Sequence, residues 1–148
     1  MNIALNKKAF YNYDILEKLE AGLVLAGMEV KSIRQRQVDI KDAYAIINNK
    51  QEAWIVNMKI STYKFDGRAE IDTNRSRKLL LKKKEIKKLF GKLQEKGLTL
   101  VPLKLYLSRG LVKVQLGLGK AKKLFDKRET KKRKDINREM ERALSDRF

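Results

Sequence analysis

"LTLVPLKLYL" (residues 98–107) and "LVKVQLGL" (residues 111–118) are two apolar-rich runs separated only by Ser108, Arg109 and Gly110. Alternation at a period of two places one set of side chains on each side of an extended chain. Two such runs across a short glycine-containing turn predict a β-hairpin. Pro102 has no N–H to give to a ladder, so it belongs at an edge or a bulge.

Working outward, "YAIINNKQEAWIV" (residues 44–56) predicts a second hairpin, with Asn48 and Asn49 tolerating positive φ at its turn. "NMKISTYKF" (residues 57–65) continues as a strand, and "AFYNYDI" (residues 9–15) has aromatic strand character. Asp14 and Glu17 form a capping-box-like pair, predicting a short helix that Gly22 ends. "GLVLAGMEVKSIRQ" (residues 22–35) reads as a strand bent or bulged at Gly27. Ile86, Leu89, Phe90 and Leu93 recur at helical spacing, and Gly97 closes that helix.

About six strands result, most of them adjacent in sequence, with short helices inserted. Too few helices alternate with strands for a parallel sheet. The expected fold is therefore mainly β, a small antiparallel barrel of the oligonucleotide-binding (OB-like) type over residues 1–125. Residues 126–148 carry few large apolar side chains and read as a basic C-terminal tail. Ile136, Met140, Ala143 and Leu144 give that tail a narrow helical stripe. Like charges repel at i, i+4, so the expected tail is mobile alone and helical when docked.

The 148 residues fit one domain, large enough to bury roughly two-thirds of its unfolded surface. The chain has no cysteine, which excludes disulfide and thiolate chemistry, and no histidine, which removes the usual general base and the commonest metal ligand. No apolar run approaches the roughly 20 residues of a membrane helix. The opening "MNIALNKKAF" has no secretory h-region, so a cytoplasmic protein is expected. The net charge of +18 points to a polyanionic partner, with nucleic acid ranked before a membrane. The charge is also patterned. Ten bases lie between Arg75 and Lys96 and twelve between Lys104 and Lys134, whereas Asp42 to Met58 contains only Lys50.

"GLGKAKKLFDKR" (residues 117–128) resembles a phosphate loop but fails both nucleotide templates. Val114 stands where a P-loop needs glycine, and Ala121 follows the lysine where Ser or Thr would hold magnesium. Lys122 occupies the third glycine position of the dinucleotide fingerprint. The favoured reading is a strap on a nucleic-acid backbone, with glycines allowing close approach. Lys120, Lys122, Lys123, Lys127 and Arg128 would supply its phosphate contacts. In "NRSRKLLLKKKEIKKLF" (residues 74–90), Arg75 and Arg77 are the better phosphate grips, because a guanidinium binds phosphate bidentately. Lysines on the following helix can equally be its wet face. Asp39 and Asp42 read as capping rather than as metal ligands, and no carboxylate cluster suggests a nuclease. No enzyme, metal, cofactor or small-molecule substrate is expected, and a monomer is.

"IALNKKAFYNYDILEKLEAGLVLAGMEVKSIR" (residues 3–34), "RSRKLLLKKKEIKKL" (residues 75–89), "GLTLVPLKLY" (residues 97–106) and "GLGKAKKLFDKR" together closely resemble the SsrA-binding protein family. The resemblance runs in order from Ile3 to Arg128, and the tail matches in charge and length. It implies a bacterial RNA-binding barrel that partners the tRNA-like domain of transfer-messenger RNA. It further implies delivery of that RNA to the A site of stalled ribosomes, against small-subunit RNA at the decoding centre. The family's RNA contacts fall on Asn6, Lys7, Glu20, Leu80 and Lys113. An acid on such a surface must accept from base amino groups or orient a basic neighbour, since phosphate repels it. The implied tail surface runs through Phe125, Asp126, Lys127, Arg128, Lys131, Lys132, Arg133, Lys134, Ile136 and Met140, laid along the empty messenger channel. The family usually has glycine at Ala121 and often histidine or tyrosine at Phe125. The residues taken without the resemblance leave two alternatives open: a general basic oligonucleotide-binding or ribosome-surface protein, and a membrane-surface or helix-partner protein.

Overall fold

The computed structural model describes residues 2–63, 70–95 and 97–122. In chain order the elements are β1 (Asn2–Leu5), α1 (Lys7–Asn12), β2 (Tyr13–Leu23), α2 (Gly27–Arg34), β3 (Val38–Asp39), β4 (Tyr44–Ile47) and β5 (Ala53–Val56). They continue as β6 (Lys59–Tyr63), β7 (Glu70–Thr73), β8 (Arg77–Leu80), α3 (Lys83–Lys92), β9 (Leu98–Ser108) and β10 (Leu111–Ala121).

The predicted hairpins form and close the barrel. β10 pairs antiparallel with β9 on one side and β2 on the other. β2 pairs with β8, β8 with β5 and β5 with β4, and Ala45 of β4 returns to Leu100 of β9. Six antiparallel strands thus make a ring, with β1 added along β9. β3, β6 and β7 form a separate three-stranded sheet, and α2 lies against β6. The interior holds Ile33, Ile55, Met58, Ile60, Leu100, Leu105, Val114 and Leu116, all fully buried. Each large aliphatic side chain withdrawn from water there contributes about 1.5–3 kcal/mol.

The turns follow from chain stereochemistry. Arg109 and Gly110 both have positive φ, 52° and 79°, the primed turn whose twist matches the flanking strands. In the β4–β5 hairpin the left-handed residue is Gln51 (φ 57°) rather than either asparagine. Asn48 instead uses its side-chain oxygen to accept from the Lys50 and Glu52 amides at 3.1 and 2.9 Å. Pro102 sits beside a bulge, as its missing donor requires: Gln115 faces Lys104 but Leu116 faces Pro102, leaving Leu103 as the extra residue.

Three local expectations are overturned near the N-terminus. Residues 7–12 are helix rather than strand, because the Asn6 side chain caps them by accepting from the Ala9 amide at 3.1 Å. The segment with Asp14 and Glu17 is the 11-residue strand β2, and the ladder to β10 outweighs its capping-like spacing. Gly22 therefore lies within a strand and ends no helix. Residues 27–34 are helix α2, with Gly27 its first residue rather than a bulge. Its start is stabilised by the Glu29 carboxylate, which accepts from the Ala26 amide at 3.0 Å.

Candidate nucleic-acid interface

β2, β10 and β9 are long neighbours, so their register decides which side chains share the outer face. Lys113 is directly opposite Gly22 on one side and Tyr106 on the other, and Gly22 is opposite Leu80 of β8. One row crossing four strands therefore reads Leu80, Gly22, Lys113, Tyr106. The next row on the same face reads Glu20, Gln115, Lys104. Lys18 follows, opposite Gly117.

The electrostatics of this open region are specific. The Tyr106 hydroxyl donates to Glu20 Oε2, and Glu20 Oε1 lies 3.9 Å from the Lys113 ammonium. Burial, reinforced by the Glu20 carboxylate, pushes the Tyr106 phenol up to about 12, so it stays a donor at any physiological pH. Lys104 stands 5.4 Å from the Tyr106 ring centre and Lys18 stands 5.8 Å from that of Phe10. Leu80 is 56% exposed. With Leu23, Leu25, Val30, Leu111 and Lys113 it lines a shallow pocket of about 290 Å³. Apolar and aromatic surface for bases, bordered by ammonium groups for phosphates, is the combination that binds unpaired nucleic acid.

The opposite end of the same face is covered. α1 packs there through Ala9 onto Val101 and Leu103, with Tyr13 and Ile15 alongside. This corrects the reading of "GLGKAKK" as a glycine strap. Gly117 and Gly119 are buried within β10, where a Cβ would stand 2.8 Å from Leu103 Cδ1 and from Tyr13 Cβ respectively. The glycines make room for this small second core and for α1. Lys120 is exposed at the strand end. Lys122 is stitched to α1, its amide donating to the Asn12 carbonyl at 2.9 Å and its ammonium to that of Phe10 at 3.1 Å.

Two expected RNA contacts lie inside the protein. Asn6 is 1% exposed, and besides capping α1 its amide nitrogen donates to the carbonyls of Pro102 and Ile40 at 2.8 and 3.1 Å. It joins α1 to the barrel and aims the exposed Lys7. Arg77 is fully buried, with its guanidinium on the Glu29 carboxylate at 2.6 Å and on the Met58 carbonyl at 2.7 Å. It has no surface to present to a phosphate and is a structural cation, whereas Arg75 is half exposed and also paired to Glu29. Burial pushes the Glu29 carboxyl up, but the Ala26 amide, Arg77 and Arg75 outweigh it and hold the group below its ordinary value. Breaking such a buried pair from one side costs about 3–5 kcal/mol.

The acids weighed for metal binding are engaged locally. Asp39 accepts from the Lys41 amide at 2.9 Å, and Asp42 pairs with Lys8 at 2.6 Å, which lowers the Asp42 carboxyl. Among the described residues no group of three or more Asp or Glu is placed to hold a metal, and no helix is long and apolar enough to cross a membrane. Lys123, Phe125, Asp126, Lys127, Arg128, Lys131, Lys132, Arg133, Lys134, Ile136 and Met140, together with the expected 125/126 boundary, lie outside the described residues. Sequence reasoning missed Lys18, Lys104 and Tyr106 as members of the open face. Their signal was the strict alternation of Lys104 and Tyr106 with Leu103, Leu105 and Leu107.

A closed six-stranded ring carrying an open basic and aromatic face is the architecture of a nucleic-acid-binding β-barrel. The family model for the SmpB protein matches residues 3–146. The chain is 52% identical to the SsrA-binding protein of Carboxydothermus hydrogenoformans, over 99% of this chain and 97% of that one. It is 54% identical to that of Bacillus cereus, over 98% and 93%. Among solved structures it is similar to a chain described under "tmRNA-SmpB: a journey to the center of the bacterial ribosome". That similarity has a TM-score of 0.67 and 45% identity, covering 82% of this chain and 85% of that one. The chain belongs to the SsrA-binding (SmpB) protein family.

Proposed function

We propose that this protein binds the tRNA-like domain of transfer-messenger RNA and delivers it to the A site of stalled ribosomes, acting in the cytoplasm as a binding protein rather than an enzyme. Family membership supports the partner. The observation that carries the site is the row of Leu80, Gly22, Lys113 and Tyr106 across four strands, flanked by Lys104 and Lys18. Lys7, Lys113 and Lys120 meet phosphates, and Leu80 meets a base or sugar. Arg75, half exposed and paired to Glu29, offers a further guanidinium. Residues 126–148 engage small-subunit RNA at the decoding centre and the empty messenger channel, with Lys131 to Lys134 on phosphates.

Gel-shift competition tests this reading. The tRNA-like RNA should displace a labelled copy of itself where equal lengths of duplex or single strand do not. Equal competition would instead establish a general basic binder. With about six to ten phosphate contacts, affinity should fall roughly 10³–10⁵-fold between 50 and 200 mM salt. Lys113→Ala should reduce the salt slope by roughly one unit. Truncation after Arg128 should spare RNA binding and abolish tagging on stalled ribosomes; the reverse result would refute the division between barrel and tail.

A further inference from the structure

Glu20 poses a physical problem on an RNA surface. It is an exposed carboxylate on a chain of net charge +18, placed where phosphates must approach. Left to itself it would repel them. Its surroundings show what it does instead. β2 and β9 flank β10, so the Tyr106 side chain reaches across β10 to place its hydroxyl on Glu20 Oε2. The other carboxylate oxygen faces Lys113 at 3.9 Å. That separation gives Coulombic attraction without a direct hydrogen bond, so the ammonium is held in place while its donors stay available to a ligand. Lys104 lies over the same tyrosine ring at 5.4 Å, adding a second cation to the assembly.

We propose that Tyr106 is a positioning residue of the RNA site: it fixes Glu20, and Glu20 in turn holds Lys113 at the height and angle of an RNA phosphate. The inference rests on the reading of the open face as the RNA surface. A lysine side chain is rich in rotamers, and ordering it before RNA arrives lowers the entropic cost of its phosphate contact. The carboxylate offsets part of the phosphate attraction, yet its fixed position ensures that the ammonium is already in place.

The test is a binding cycle on the full chain with the tRNA-like RNA. Tyr106→Phe keeps the ring and the Lys104 contact while deleting the hydroxyl. It should weaken binding roughly 3- to 10-fold, leaving the salt slope unchanged because no charge is altered. Glu20→Gln should weaken binding as well, although simple electrostatics demands that removing a negative charge tighten it. In a Lys113→Ala background Tyr106→Phe should have no further effect. Wild-type affinity in Tyr106→Phe, tighter binding in Glu20→Gln, or full additivity with Lys113→Ala would each overturn the proposal. If Lys113→Ala alone changes neither affinity nor salt slope, the RNA reading of the face falls too, which separates that failure from a failure of Tyr106 alone.

Discussion

The outer face of β2, β10 and β9 has two ends built from the same three strands, and they have opposite fates. At one end Leu103, Val101, Ile15 and Tyr13 lie beneath α1. At the other, Lys113, Gln115, Lys104 and Glu20 face solvent. The change falls at two single-residue bulges. Leu103 is the extra residue on β9, and Leu16 is the extra residue on β2, between Glu17 opposite Leu118 and Ile15 opposite Gly119. A one-residue slip moves every later side chain to the other face. Past the bulges, residues that strict alternation would point inward turn outward and give α1 an apolar seat. The binding face and the helix seat are therefore made by one ladder with two defects in it.

The largest effect expected from breaking this arrangement is on the covered end. Leu103 is 1% exposed, so Leu103→Ala should cost about 2–5 kcal/mol in urea unfolding. RNA affinity measured on the folded protein should fall less than in Lys113→Ala, because the Leu103 side chain packs in the α1 seat. A comparable loss in affinity would show that the two ends are coupled.

Next comes Gly119→Ala, whose Cβ would stand 2.8 Å from Tyr13 Cβ, an atom that cannot move without its backbone. Overpacking there should cost about 1–3 kcal/mol. A neutral melting temperature would argue that α1 does not need this close approach.

The open end should respond in the opposite sense. Leu80→Ala removes a side chain that is 56% exposed. Stability should change by less than about 0.5 kcal/mol, while RNA binding weakens measurably in the same gel-shift assay. A clear drop in melting temperature with unchanged binding would place Leu80 among the structural residues.

The smallest effect is an acid one, at the junction of the two ends. Hydrogen bonds from Lys88 and Lys92 of α3 lower the Glu17 carboxyl from 4.5 to about 2. A carboxyl depressed on folding contributes stability that is complete above its unfolded value and lost as pH falls through its folded one. The excess stability of the native chain over Glu17→Gln should be present at neutral pH and should vanish between about pH 4.5 and 2. The pair is solvent-exposed, so added salt should shrink this difference. A pH-independent difference would assign Glu17 a packing role instead.

Legibility from sequence followed the range of the interactions. The β9–β10 and β4–β5 hairpins and the Ile86/Leu89 face of α3 are local patterns, and all three form as their spacing predicts. α1 and α2 are not legible from spacing, because their decisive contacts are capping bonds to Asn6 and Glu29, residues engaged elsewhere by partners distant in sequence. Asn6 also holds Pro102 and Ile40, and Glu29 also holds Arg75 and Arg77. β2 was hidden for a related reason. Its alternation is offset at Leu16, and only the ladder to β10 shows where the offset falls.

By itself the amino-acid order determined a basic, cysteine- and histidine-free β protein, its hairpins, its amphipathic third helix and its resemblance to an RNA-binding family. These follow from composition and from periods of two and 3.6, which need no partner strand to be visible. Only the tertiary structure decided which charged groups are available. It buried Arg77 against Glu29, used the glycines of the 117–119 segment to seat a helix, and brought Tyr106, Glu20 and Lys113 together from three strands. The physical reason is that exposure and pairing are set by register between strands far apart in the chain, and a single bulged residue is enough to reverse them.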